Sequence, residues 1–326
     1  MRILLATPAP PGSQRGNRVT AERWAGLLGE LGHEVILCDG EALPAQADAQ
    51  LLIAIHARAS HGALMEFRRR FPARPTVLVL AGTDLYLAGK RDELVATSLA
   101  EAHRIVLLQQ RARAELTEEQ SSRAVVIEQS CAGPPRDPQG RAAATLSPRP
   151  TADDILLVGH LRPVKDPLLA PAALAELEDD NPLRLVHLGA ALDPDLAEKA
   201  RACAASCPRY TYLGERCRQE TLLRMAHCRA LVLTSRAEGG ANAITEAIAC
   251  GAPIIATDNA GTRGQLGDDH PGLFPVGDKA ALVHLFRRLT ADHDYASELR
   301  AATTRLAPRV EPARERMAWA QLLESL

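Results

Sequence analysis

The sequence predicts an α/β protein of two parallel-sheet domains. Short apolar runs alternate with segments of helical periodicity along the chain, the pattern of strand–helix–strand units whose sheets are covered on both faces. The 326 residues correspond to about two units of roughly 150 residues each. A Pro/Gly/Ala-rich stretch from Gly133 to Pro150 has no periodicity and reads as a linker, so the expected domains are 1–149 and 150–308.

The elements follow in order. Ile3–Ala6, Val35–Leu37, Leu51–Ile55, Val77–Leu80, Ile105–Leu108 and Val125–Ile127 form a first set of strands. Between the first two, Trp24, Leu27, Leu28 and Leu31 recur at helical spacing and Gly32 ends the helix, which makes Trp24 a core residue. A second set is Ile155–Val158, Leu183–Leu188, Tyr210–Leu213, Leu231–Thr234 and Pro253–Ala256. Apolar runs of this length suit strands buried on both faces.

Composition narrows the function. A net charge of -2 lacks the concentrated basic excess of a nucleic-acid or anionic-membrane surface, and Arg68, Arg69 and Arg70 read as a solvated helix face. The seven cysteines have neither metal-ligand nor disulfide-framework spacing, and their odd count fits a reducing compartment. The opening MRILLATPAP is too short an apolar run for a signal peptide, and no segment approaches the roughly 18 apolar residues of a membrane span. The expected location is cytoplasmic, with no membrane insertion and no nucleic-acid partner.

The most informative segment is Thr234–Gly251, TSRAEGGANAITEAIACG. The strand Leu231–Leu233 runs into Thr234 and Ser235, Gly239 and Gly240 break it, and a helix continues to Cys250, where Gly251 stops it. The first backbone N–H groups of that helix, near Gly240, Ala241 and Asn242, have no intrahelical partner and sit at the positive end of the helix dipole, where a diphosphate fits. Glu238 precedes the turn, within reach of a sugar hydroxyl. Glu246, one turn into the helix, accepts two hydrogen bonds from a ribose diol. The bland alternative is two solvated charges beside an ordinary turn. Upstream, ILLVGHLRPVKDP from Ile155 to Pro167 reads as a strand, a turn at Gly159, and then His160, Arg162 and Lys165 on the next loop. Those cations either serve a diphosphate or are solvated and paired to Asp166. Asp193-Pro194-Asp195 has an acid, any residue, acid pattern, but amides and basic side chains already supply the positive charge, so no metal is expected.

In the first half, polar residues follow the strands. Pro11–Thr20 is a glycine-bearing loop in which Gly12, Arg15, Asn17 and Arg18 lead into a helix, as an anion site would. His56 and Arg58 follow the third strand, Gly82, Thr83 and Asp84 the fourth, and Gln129 and Ser130 the strand before the linker. Thr83 and Asp84 read equally as helix caps, and His56 as a satisfied strand-end histidine.

Glu238, seven residues and Glu246 resemble the Glu, seven residues, Glu signature of retaining glycosyltransferases of family 4, which have the GT-B fold. In that family an Arg and a Lys in the segment matched by Ile155–Pro167 hold the diphosphate. Lys165 matches directly, and His160 stands where members often carry Arg, two residues before Arg162. The resemblance implies two Rossmann-like domains facing a central cleft, the donor on 150–308, the acceptor on 1–149, and a last helix, 309–326, crossing back onto the first domain.

TPAPPGSQRGNRVT, HAR, AGTDLY, VGHLRPVKDP, HLGAALDP, YLGE, SRAEGGANAITEA and PGLFPVGD together resemble the selenosugar synthases over nearly the whole length. That resemblance implies transfer of the glycosyl group of a UDP-sugar, UDP-N-acetylglucosamine or UDP-glucose, to selenium of selenophosphate, releasing UDP and phosphate, in selenoneine biosynthesis. It also implies coupling to the selenophosphate-forming enzyme and the selenoneine synthase. The donor would be bound by Gly159, His160, Arg162, Lys165, Glu238, Gly239, Gly240, Ala241, Asn242 and Glu246, and selenophosphate by Gly12, Arg15, Asn17, Arg18, Arg58 and Thr83. Catalysis would rest on Glu238, Arg162 and Lys165, with Asp84 and His56 beside the acceptor, and with no metal cofactor. A glycosyltransferase for hydroxyl acceptors, using Asp84 or His56 as base, and a UDP-sugar epimerase or binding protein are the alternatives.

Overall fold

A computed structural model of the chain describes residues 1–87, 92–134 and 141–326. Among them, β1 (Arg2–Thr7), β2 (Glu34–Asp39), β3 (Leu51–Ile55), β4 (Thr76–Leu80), β5 (Arg104–Leu107) and β6 (Ala124–Val126) form one sheet in the order β2-β1-β3-β4-β5-β6. A second sheet contains β7 (Asp154–Val158), β8 (Arg184–Leu188), β9 (Tyr210–Gly214), β10 (Ala230–Leu233), β11 (Ile254–Asp258) and β12 (Leu273–Pro275), in the order β12-β11-β10-β7-β8-β9. The paired strands are parallel in both. β3, β4 and β10 are buried at every residue, which accounts for the wholly apolar sequences of β3 and β10 and for the apolar run Val77–Leu80 that follows Thr76 in β4.

Alternate residues of the first sheet enter two cores. Leu4, Leu52, Ala54, Leu78 and Leu80 pack with Phe67, and Ile3, Leu5, Ile53, Val77 and Val79 pack with Trp24, Trp319 and Leu322 on the other face. Trp24 and Trp319 meet edge to face, with ring centroids 4.8 Å apart. The second sheet has its own core, in which Ile155, Leu185, Val232 and Ile255 pack with Leu174, Phe286 and Tyr295.

The chain forms two compact units. One comprises Met1–Ser130, Glu238–Asn242 and Glu311–Leu326; the other comprises Cys131–Ala237 and Ala243–Val310. They divide at Ser130–Cys131, ahead of the expected boundary at 149/150, because the intervening chain is tied into the second unit. The Cys131 N–H donates to the Val310 carbonyl at 3.0 Å, and Arg224 donates to the carbonyls of Pro148 at 2.9 Å and Ser147 at 3.2 Å. Part of the expected linker, 135–140, lies outside the described residues. The helix Pro312–Glu324 packs in the first unit, whereas Ala307–Val310, a short 3-10 turn, remains with the second. β12 has no counterpart among the expected strands: it is three residues long and ends on a proline, which an edge position tolerates. The seven cysteines are free, and among the described residues no helix is long and apolar enough to cross a membrane.

Strand order locates the switch points. In open parallel sheets, ligands bind beyond the carboxyl ends of the strands where the order reverses. These points fall between β1 and β3 in the first unit and between β7 and β10 in the second.

Candidate functional site

In the second unit the loops after β7 and β10 are bound together at the switch point. Thr234 donates its hydroxyl to the carbonyls of Lys165 and Asp166, each at 2.9 Å, and the Arg236 N–H donates to the Val164 carbonyl at 2.8 Å. Pro163 opens the 3-10 turn Pro163–Lys165, and Asp166 closes it with φ of 43°. The Asp166 carboxylate pairs with Arg236 at 3.1 Å. Arg162 is exposed on this loop and Lys165 is half-buried.

The start of the loop is set from beneath. His187 on β8 donates Nε2–H to the Gly159 carbonyl at 2.9 Å, while its Nδ1 accepts from the Tyr210 hydroxyl at 2.9 Å. Burial pushes its pKa down to about 4, so the ring is neutral. The Nδ1 of His160 accepts from the Ala190 N–H at 2.9 Å. A Cβ on Gly189 would overlap the Gly159 carbonyl oxygen, so only glycine permits this approach.

The helix Asn242–Cys250 follows the glycine turn and ends at Gly251, with φ of 67°. Glu246 is buried on it. Its Oε1 accepts from Arg218 Nε at 2.9 Å, and Arg218 Nη2 donates to Cys131 Sγ at 3.4 Å. Burial would lower the Arg218 pKa, but the Glu246 charge and hydrogen bond outweigh it and the pKa rises. Oε1 of Glu246 is thus engaged by Arg218, and Oε2, with two lone pairs, is the oxygen left to accept from a diol. Sequence reasoning missed Arg218: in YLGERCRQE nothing distinguishes it from Arg216.

The turn itself belongs to the first unit. A Cβ on Gly239 would come within 2.5 Å of the Ala81 carbonyl, and one on Gly240 within 2.6 Å of Leu108 Cβ, so both glycines are required by close approach. Glu238 and Ala241 are buried. Asn242 is fully engaged: its amide donates to the Gly16 carbonyl at 3.2 Å and the Thr20 hydroxyl at 3.1 Å, and its oxygen accepts from Arg23 at 3.0 Å.

At the switch point of the first unit, Gly12 is exposed with φ of 77°, Arg15 caps the helix Gly16–Glu30 in extended conformation without a side-chain bond, and Asn17 is half-buried. Arg18 is held by Glu22 at 2.7 Å, and Arg58, half-exposed, pairs with Asp92.

The two residues expected as bases are engaged otherwise. Asp84 is buried and accepts from the backbone N–H groups of Ala57 at 2.7 Å, Gly82 at 2.8 Å and Ala81 at 3.0 Å, so it clasps the loops after β3 and β4 and its lone pairs are filled. His56, with φ of 78°, accepts at Nδ1 from the Ala59 N–H at 3.2 Å and lies 2.9 Å from Thr83 Oγ1 at Nε2. Its proton is therefore on Nε2, and the nitrogen a base would use is occupied. Gln129 is buried, and Ser130 donates its N–H and hydroxyl to Glu315 at 3.0 and 2.5 Å.

Comparison with known proteins gives a family and a set of structures. Residues 143–306, just over half of the chain, match the family model of the glycosyl transferases group 1. HepE from Anabaena, solved with UDP and glucose, is similar over 100% of both chains at 17% identity and a TM-score of 0.79. Sucrose-phosphate synthase from Thermosynechococcus elongatus is similar over 99% of this chain and 98% of its own, at 16% identity and a TM-score of 0.78. The pneumococcal O-GlcNAc transferase GtfA, solved with UDP and GlcNAc, is similar over 84% of this chain and 56% of its own, at 16% identity and a TM-score of 0.63.

Proposed function

The chain belongs to the glycosyl transferases group 1 and has the GT-B fold, and from that premise we propose that it transfers the glycosyl group of a UDP-sugar, UDP-N-acetylglucosamine or UDP-glucose, to selenium of selenophosphate. The observation that carries the donor half is the glycine turn opening the helix Asn242–Cys250, with buried Glu238 before it and buried Glu246 on it. The amides of Gly240, Ala241 and Asn242 suit a diphosphate. Glu246 Oε2 takes a ribose hydroxyl, and Glu238 a hydroxyl of the sugar. Arg162 and Lys165, with Gly159 and His160 shaping their loop, stabilise the departing UDP; single donors of this kind are worth ~10²–10³ in turnover. Structures of similar fold that hold UDP with glucose or GlcNAc support this choice of donor.

The acceptor half is supported by the state of Asp84 and His56. A sugar hydroxyl favours a general base, and both candidates are engaged by backbone N–H groups. Selenophosphate is already anionic and needs none. Its selenium attacks C1 as the C1–O bond breaks with its electron pair leaving on UDP; water then attacks phosphorus, the Se–P bond breaks, and phosphate leaves a 1-selenosugar. Arg15 is exposed, and Arg18 and Arg58 would exchange Glu22 and Asp92 for the anion. The scheme uses no metal, and it makes the chain the link between a selenophosphate-forming enzyme and a selenoneine synthase.

The test is mass spectrometry of protein incubated with each UDP-sugar and selenophosphate, beside thiophosphate and no-acceptor controls. A selenium isotope pattern on a hexose or N-acetylhexosamine mass, with UDP in equal amount, is expected. UDP formed only with sugar acceptors means a hydroxyl transferase, and isomerised UDP-sugar without transfer means an epimerase; either outcome overturns the selenium reading.

A further inference from the structure

We propose that Arg218 is a positioning residue for nucleotide recognition: it holds the Glu246 carboxylate so that Oε2 meets the ribose hydroxyls of bound UDP. The inference rests on the donor reading above and adds to it the group that orients the carboxylate.

The Glu246 side chain is only 9% exposed, and a carboxylate so buried is costly without a partner charge. Arg218 supplies that charge through Nε–H to Oε1. The guanidinium is itself anchored: Nη2 donates to Cys131 Sγ, which also accepts from the Gly133 N–H at 3.4 Å, and the Cys131 backbone is bonded to Val310. Both ends of the planar fork are therefore fixed, and the fork in turn fixes the carboxylate plane.

Local helix energetics do not account for an arginine here. Arg218 opens the helix Arg218–His227, the end at which the helix dipole disfavours a cation, and Cys217 before it provides no side-chain cap. The acidic residue of the first turn, Glu220, is engaged by Arg224 at 2.8 Å and Arg216 at 3.5 Å. What Arg218 gains is Glu246, and what it gives Glu246 is a single orientation.

Calorimetric titration of the full chain with UDP and with 2′,3′-dideoxy-UDP tests this, using wild type, Arg218→Met, Glu246→Gln, the double variant and Arg218→Lys. Each of the first two substitutions is expected to weaken UDP binding about tenfold or more, with the double variant within threefold of the weaker single one, because both remove one interaction. The wild-type preference for UDP over the dideoxy compound should collapse in Arg218→Met, a change that loss of packing alone would not produce. Arg218→Lys, which cannot span Glu246 and Cys131, should fall between, and it stands in if Arg218→Met does not melt cooperatively. Wild-type affinity and preference in Arg218→Met, or in Arg218→Lys where that variant stands in, overturn the inference, as do losses that multiply in the double variant. Wild-type protein that fails to bind UDP sinks the donor reading itself, and the inference with it.

Discussion

Replacing Glu315 with Ala should remove a large part of the stability of the first unit. Its side chain is 0% exposed, and that of its partner Arg23 is 9% exposed. The carboxylate accepts from Arg23 Nε at 3.0 Å and Nη2 at 3.3 Å, from Trp24 Nε1 at 2.6 Å, and from the N–H and hydroxyl of Ser130. Breaking a buried ion pair by deleting one partner costs about 3–5 kcal/mol, and each buried neutral donor left unpaired costs about 1–3 kcal/mol. These terms are not additive, so the expectation is a loss of at least about 4 kcal/mol, against total stabilities of roughly 5–15 kcal/mol. With a urea dependence near 2 kcal/mol per molar, the unfolding midpoint falls by about 2 M. The chain has two tryptophans, Trp24 and Trp319, and both lie in this core, so fluorescence reads the first unit without contribution from the second. A midpoint lowered by less than about 0.5 M would refute the reasoning. The pair Arg23→Met with Glu315→Leu should recover part of the loss, because apolar replacement of a whole buried pair is often neutral.

The remaining predictions concern the second unit. His187 has a folded pKa of about 4 against an ordinary 6.5, so below pH 6.5 the unfolded chain binds a proton that the folded one refuses. Stability then declines as pH falls, by about 2 kcal/mol between pH 6.5 and 5, and levels off below about 4; His187→Gln should flatten this limb in urea titrations followed by circular dichroism. His270, with its pKa also pushed to about 4 by burial, contributes in the same direction and sets what slope remains. Gly189→Ala forces the Gly159 carbonyl aside and should cost about 1–3 kcal/mol in the same assay, with UDP affinity falling alongside. Arg162→Ala should lower turnover with the UDP-sugar by ~10²–10³ at unchanged melting temperature, since the side chain is exposed; wild-type turnover would remove it from the catalytic set.

Strands were legible because a parallel sheet covered on both faces favours near-continuous apolar runs, so β3, β10 and the Val77–Leu80 run of β4 announce themselves. β12 did not: three residues, the last of them Pro275, hold too little pattern to separate from a loop. Glu246 was singled out by its spacing from Glu238 on one short stretch of chain, whereas Arg218 reaches it from another helix, 28 residues away in sequence, and only the fold brings them together. Asp84 shows the opposite failure. An Asp after Gly and Thr at a strand end looks the same whether its oxygens wait for a substrate or are filled by three backbone N–H groups, and only local backbone path decides. Arg18, expected on a loop position, stands in the first turn of the helix Gly16–Glu30 and pairs with Glu22 one turn on, whereas Arg58 pairs with Asp92, a partner 34 positions away that spacing does not reveal.

The first unit is assembled from three pieces of chain, and the third starts at Glu311. A growing polypeptide therefore finishes its first sheet long before it owns Glu315, Trp319, Leu322 and Leu323, which complete one face of that sheet. At about 5–20 residues per second, the 181 residues from Ser130 to Glu311 take roughly 10–40 s to make. Throughout that interval Trp24, Val77 and Val79 lack part of their cover, and Arg23 lacks its carboxylate. Ribosome-bound chains should accordingly carry an open apolar face suited to a holding chaperone, and native tryptophan fluorescence should emerge only once Glu311–Leu326 has been made and can pack.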